Sequence, residues 1–236
     1  MGVTEHISKQ FEADLDTTRT RVLQMGGLVE AQILAAIQAF IGGDSTLVDQ
    51  VVENDARVNG YEVAIDGACN HIVVKRQPAA SDLRLIMAIS KIVTDLERMG
   101  DEAKKIARMA KRIHEHSPHS VQRFPSIRHA GEVAVKMLRQ ALDAFARLDA
   151  VSAAEAFRND SEIDEEFKSI LRQLITYMME DPRTITAALD TVWVAKAIER
   201  IGDHAKNVAE QVIYIVMASD VRHTSFADVE RELSKG

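Results

Sequence analysis

Apolar positions return at alternating spacings of three and four along most of the chain, the period of one face of an α-helix and not that of a strand. Near the start the run is Phe11, Leu15, Thr18, Val22, Met25, Val29, Ile33, Ala36 and Phe40, which predicts one helix over 4–41. At about 1.5 Å per residue that helix is roughly 55 Å long. Gly42-Gly43-Asp44-Ser45 then supplies a glycine stop and an N-cap. A second helix follows to about residue 76, with Val48, Val51, Val58, Ile65, Cys69 and Ile72 on one face. A third, over 81–115, carries Ile86, Ile89, Val93, Leu96, Gly100, Ala103 and Ala107. Helices over 126–147, 150–180 and 184–219 complete the set. Pro78, Pro118, Pro125 and Pro182 each fall where a periodic run stops, as expected when proline is excluded from helix interiors.

The second half repeats the first. Ala39-Phe40 matches Ala144-Phe145 and Asn54-Asp55 matches Asn159-Asp160, both at an offset of 105. Pro78 matches Pro182, and Glu97-Arg98-Met99-Gly100-Asp101 matches Glu199-Arg200-Ile201-Gly202-Asp203. The offset shortens only in loops, as a duplicated unit does when its connections drift. The expected architecture is all-α: two tandem three-helix bundles, six long helices in total, related by internal duplication. Residues 1–116 form the first bundle, 117–125 a linker, 126–220 the second bundle and 221–236 a polar tail.

Composition narrows the class further. With 11 Gly, 4 Pro, 3 Tyr and 1 Trp in 236 residues, the chain lacks the turns and aromatic strands of an all-β protein. The formal net charge is −7, and no basic run offers phosphate contacts, so nucleic acid is not an expected partner. A single Cys69 excludes an internal disulfide and fits a reducing compartment. The N-terminus has no signal pattern and no run of about 18 apolar residues is present, so a cytoplasmic protein without a membrane span is expected.

The acids carry the candidate chemistry. On a heptad grid the second helix places Val51, Val58, Ile65 and Ile72 at one seam position and Val48, Asp55, Glu62 and Cys69 at the other. In the copy the latter set is Ala153, Asp160, Phe167 and Leu174. One turn on stand Asn59 and its counterpart Asp164. The third helix of each unit adds Glu97-x-x-x-Asp101 or Glu199-x-x-x-Asp203, a spacing that puts both carboxylates on one face, about 6 Å apart. Like charges so placed repel, and burying them is costly without a partner. Three readings stay open: a solvated acidic face, salt bridges to Lys or Arg on an adjoining helix, and a metal held by oxygen ligands from two helices. Di-iron chemistry of the ferritin kind needs Glu-x-x-His pairs, and no glutamate here is followed at the third position by histidine. Phosphate loops, nucleophile elbows, CxxC and HExxH patterns are absent. Cys69 reads as core, His114, His116 and His119 as solvent-facing residues near the linker, and Trp193, which replaces Lys91 of the first unit, as packing or a partner anchor.

With these motifs in view, the chain resembles the PhoU family of phosphate-specific transport system accessory proteins. The resemblance runs through His6-Ile7-Ser8, Gln10-Phe11, Gln24-Met25-Gly26-Gly27-Leu28-Val29-Glu30, Glu62-Val63-Ala64-Ile65-Asp66, Arg76-Gln77-Pro78, Ser81-Asp82-Leu83-Arg84, both ERxGD pentapeptides and Met178-Met179-Glu180-Asp181. It implies a cytoplasmic, homodimeric negative regulator of the phosphate-starvation response with no catalytic step. Such a regulator couples the ATPase subunit of the phosphate ABC transporter to the phosphate-sensing histidine kinase and modulates phosphate uptake. The resemblance also implies iron or zinc at E(D)xxxD motifs, which map here to Asp55, Glu97, Asp101, Asp160, Asp164, Glu199 and Asp203. Asn59 breaks the motif of the first unit and weakens the site expected there. A metal-dependent enzyme using the same carboxylates is the competing function.

Overall fold

A computed structural model of the protein describes residues 3–116 and 125–221, with Thr224, Val229 and Arg231 beyond them. Six helices account for the fold: α1 (Val3–Gly42), α2 (Ser45–Arg76), α3 (Ala80–His116), α4 (Pro125–Arg147), α5 (Ala150–Glu180) and α6 (Ile185–Met217). No strand occurs among the described residues. The expected linker lies outside the described residues apart from Pro125, which opens α4. Most of the tail lies outside them too, yet Val221 and Val229 are buried in the core.

Helix boundaries follow local chemistry, and the duplication shows in them. Asp44 caps α2 by accepting from the Thr46 amide at 2.8 Å. Asp149, its equivalent, caps α5 by accepting from the Val151 and Ser152 amides. Gly43 ends α1 in the left-handed region at φ +72, where glycine carries no steric cost. Leu148 takes the equivalent place at φ +51, a conformation disfavoured for a residue with a Cβ. The chain between α5 and α6 is a single 3₁₀ turn, Pro182–Thr184, capped by Asp181.

Each unit is a three-helix bundle, and the two share one hydrophobic core. α1, α3, α4 and α6 form a central layer, and α2 and α5 lie on its two outer sides. The largest inter-unit contact is between α3 and α6. These helices run antiparallel: Arg84 donates to the Ile215 carbonyl, Asp95 meets His204, Glu102 meets Arg200 and Arg112 meets Asp190. α1 is long and apolar enough over Lys9–Gly42 to cross a bilayer by composition alone. Half of its apolar window is buried inside the protein. Val22, Met25, Val29, Ile33 and Ala36 are fully enclosed, because α1 packs against α2, α3 and α4 at once.

Glycines set how closely α1 and α4 approach. A Cβ at Gly26 would lie 2.6 and 2.7 Å from the two Leu142 methyls, whereas one at Gly27 would meet nothing within 4 Å. Adjacent substitutions therefore separate packing from helix propensity. Gly27→Ala is expected to stabilise the fold by about 0.5–1 kcal/mol. Gly26→Ala should be about 1–3 kcal/mol less stable than Gly27→Ala because Leu142 must be displaced. Urea denaturation midpoints check the pair, and equal midpoints would refute the close approach.

Candidate functional site

The α2–α3 face gathers the acids of the first unit. Lys104 on α3 reaches across to Asp55 on α2, with Nζ 2.6 Å from its Oδ2, and bonds Asp101 Oδ1 at 2.8 Å. Both Asp55 and Lys104 are largely withdrawn from solvent. Burial pulls the Lys104 pKa down, but the bonds to Asp101 and Asp55 outweigh it, so the ammonium is held above its usual range. Glu97 has no such bond. Burial first, then the charges of Asp101, Glu62 and Asp55, raise its carboxyl pKa, with only partial relief from Lys104. Glu62 is raised in the same way by burial and by Asp66 and Asp101.

The second unit repeats this plan on α5 and α6. Lys206 Nζ lies 2.6 Å from Asp160 Oδ2. Lys196 pairs with Glu199 at 2.6 Å and sits 5.4 Å from the Phe167 ring centroid. Phe167 stands where the first unit has Glu62, so an aromatic face under a cation replaces an acid. Asp203 is raised by dehydration, then by Glu199 and Asp160, with a smaller contribution from Asp164. A carboxyl whose folded pKa is raised stabilises the fold only while protonated. Ionisation of Glu97 and Asp203 therefore works against folding, and the stability their protonated forms contribute is lost as pH rises through their folded pKa values.

The glycine between each acid pair lets the outer helix come close. Val58 of α2 packs 3.4 Å from the position of a Cβ on Gly100, and Ile163 of α5 packs over Gly202. These two seam residues are equivalents in the duplication. Asp55 and Asp160 each lie three residues before one of them, so close packing at the glycine carries the acid onto the ERxGD face.

Of the seven predicted residues, Asp55, Glu97 and Asp101 form the first cluster, and Asp160, Asp164, Glu199 and Asp203 the second. Lys104 and Lys206 escaped the sequence reading. They were legible as repeats: the identity extends past the pentapeptide, from Ala103-Lys104 to Ala205-Lys206, three residues beyond each aspartate. Among the three readings left open, the geometry displays salt bridges. Among the described residues, no group of three or more His, Cys, Asp or Glu side chains is placed to hold a metal ion. The position a cation would take beside Asp55 and Asp101, or beside Asp160, is held by an ammonium. As arranged, the acids do not fit iron or zinc.

Comparison with known proteins bears on the family. The family model of the PhoU domain matches twice, at residues 22–110 and 127–212. A phosphate-specific transport system accessory protein PhoU homolog of Pseudomonas aeruginosa is 49% identical over 232 residues, spanning 98% of this chain and 96% of that protein. The phosphate-specific transport system accessory protein PhoU of Escherichia coli (strain K12) is 46% identical over 236 residues, 99% of this chain and 96% of its own length. A crystal structure of PhoU from Pseudomonas aeruginosa superposes with a TM-score of 0.83 at 50% identity, covering 89% of this chain and 100% of that one. The phosphate transport system regulatory protein PhoU from Streptococcus pneumoniae reaches a TM-score of 0.82 at 25% identity, covering 89% of this chain and 99% of its own. Two matched domains in one chain, near-complete coverage and a common fold lead to one conclusion: the chain belongs to the PhoU family.

Proposed function

We propose that the protein is a negative regulator of the phosphate-starvation response, acting as a cytoplasmic, homodimeric adaptor. In this reading it links the ATPase subunit of the phosphate ABC transporter to the phosphate-sensing histidine kinase and modulates phosphate uptake, with no catalytic step of its own. The observation that carries it is near-full-length similarity to proteins named as phosphate-specific transport system accessory proteins. The geometry supports binding over catalysis, since Asp55 and Asp160 are engaged by Lys104 and Lys206. A metal-dependent hydrolase or redox enzyme would need those carboxylates free and an open coordination position.

Affinity capture from phosphate-replete cells tests the adaptor. Recovery of the transporter ATPase or the sensor kinase, with derepressed phosphate-responsive genes after deletion, is expected. Recovery of neither, with unchanged expression after deletion, contradicts the reading.

The same reading places iron or zinc on Asp55, Glu97 and Asp101, or on Asp160, Asp164, Glu199 and Asp203, only when a lysine leaves. Removing the ammonium unmasks the negative charge. Lys104→Gln combined with Lys206→Gln is expected to raise zinc affinity by about tenfold or more in calorimetric titration. Adding Glu199→Gln and Asp203→Asn should remove most of the gain. Equal affinities in wild type and the lysine variant would show that the ammonium groups do not compete with metal.

A further inference from the structure

The antiparallel crossing of α3 and α6 leaves a groove at each end, and the duplication makes the two grooves equivalents. One, of about 520 Å³, is lined by Trp193, Leu189, Ala197 and Met109, with Lys105 and Arg200 among its polar residues. The other, of about 350 Å³, has Lys91, Asp95, Gln211, Asn207 and Arg98 at the places of Trp193, Ala197, Met109, Lys105 and Arg200, while Met87, the counterpart of Leu189, is also apolar and exposed. Only the arginine is common to both. Descent from one unit has thus left one groove with an apolar patch, at Trp193, Ala197 and Met109, where the other is polar.

The apolar groove is exposed in a way that core packing does not explain. Ile185, Leu189 and Trp193 stand at spacings of four along α6 and remain 42%, 49% and 64% exposed. Their stripe runs about 12 Å along the helix, the reach of two turns. Apolar surface with Trp and Arg together is the composition of binding hot spots. The charge is also one-sided. Four cations line the groove, Lys105, Arg112, Lys196 and Arg200, against two carboxylates, Glu102 and Asp190. Glu102 is already paired with Lys105 and Arg200, Asp190 with Arg112, and Lys196 with Glu199 just outside the lining, which leaves an excess of one positive charge. This cationic excess lies on a chain whose net charge is −7, so a second acidic copy is a poorer match than a segment bringing its own local carboxylates.

We propose that this groove docks an acidic amphipathic helix of a partner protein. The apolar face of that helix lies along Ile185, Leu189 and Trp193, and its carboxylates face the Lys and Arg rim. The proposal rests on the adaptor reading and adds the surface and the chemistry of what it binds.

The test uses the full chain and a fluorescein-labelled synthetic helix of about 18 residues, with Leu at helical spacing on one face and Glu on the flanks. A twin peptide carries Lys in place of Glu. Trp193 is the only tryptophan, so the unlabelled peptide reports through its emission. The Glu peptide is expected to bind about tenfold or more tightly than its twin and to shift Trp193 emission to the blue. Trp193→Lys, which installs the residue of the first unit, should weaken anisotropy-measured binding about tenfold. Leu189→Gln should do the same and serves if that variant fails to fold. Equal binding of the two peptides, or binding unchanged by both variants, overturns the proposal. So does an emission shift that follows protein concentration without peptide, since a second copy then fills the groove. Affinity capture with the same variants separates the two ideas. Partners captured equally by wild type and Trp193→Lys overturn the groove and leave the adaptor standing. Saturable Glu-peptide binding with no partner captured by wild type leaves the groove and removes the adaptor.

Discussion

A carboxylate at a helix-packing seam must find a cation or give up its charge, and that requirement organises both units of this protein. Asp55 and Asp160 occupy seam positions that, Glu62 apart, otherwise hold apolar residues. Lys104 and Lys206 reach them at 2.6 Å from the neighbouring helix. The ion pairs therefore tie α2 to α3 and α5 to α6 at the height of the ERxGD glycines. Breaking such a pair on one side leaves a poorly solvated charge behind, which costs more than the pair itself contributes. Glu97 and Asp203 receive less compensation, and burial first, then the neighbouring carboxylates, raises their pKa values.

The two bundles are joined by the antiparallel seam of α3 and α6, supported by close packing of α1 on α4. Descent from one unit would give this seam matching polar pairs on either side of its middle, yet the pairs have diverged. Asp95 binds His204 and Asn207, whereas the residue equivalent to Asp95 is Ala197. Glu102 binds Arg200, but its own equivalent is His204. Substitution at such places turned two like halves into one asymmetric molecule, with different polar pairs on the two sides of the seam.

Much of this fold was legible in the residues because helix periodicity is local. The runs from Phe11 to Phe40 and from Val48 to Ile72 predicted α1 and α2 to within a residue or two, and the prolines and Asp44 marked their ends. Duplication was legible because landmarks such as Phe40 and Phe145 kept their order. The gathering of the seven acids followed from their i, i+4 spacing and from the seam position of Asp55 and Asp160. Salt bridges were one of three open readings, but which cation closes them was not legible, because a long lysine side chain one turn beyond the acids can reach several partners and spacing alone does not choose among them. The pairing of α3 with α6 could not be read at all. His204 and Asp95 lie 109 positions apart, and no local pattern links them. Trp193 was ambiguous for a similar reason: burial or exposure of an apolar residue on α6 depends on which helix lies opposite.

The central claim is that the lysine repeated in each unit neutralises the inward acid, and a double-mutant cycle on Asp160 and Lys206 tests it most directly. Asp160→Asn, Lys206→Gln and the combined variant would be compared with wild type by urea denaturation of metal-free protein. The account predicts that each single change destabilises and that the double variant loses less than their sum. The expected coupling is about 0.5–3 kcal/mol. Losses that add to within about 0.5 kcal/mol would contradict the claim and return the acids to a solvated face.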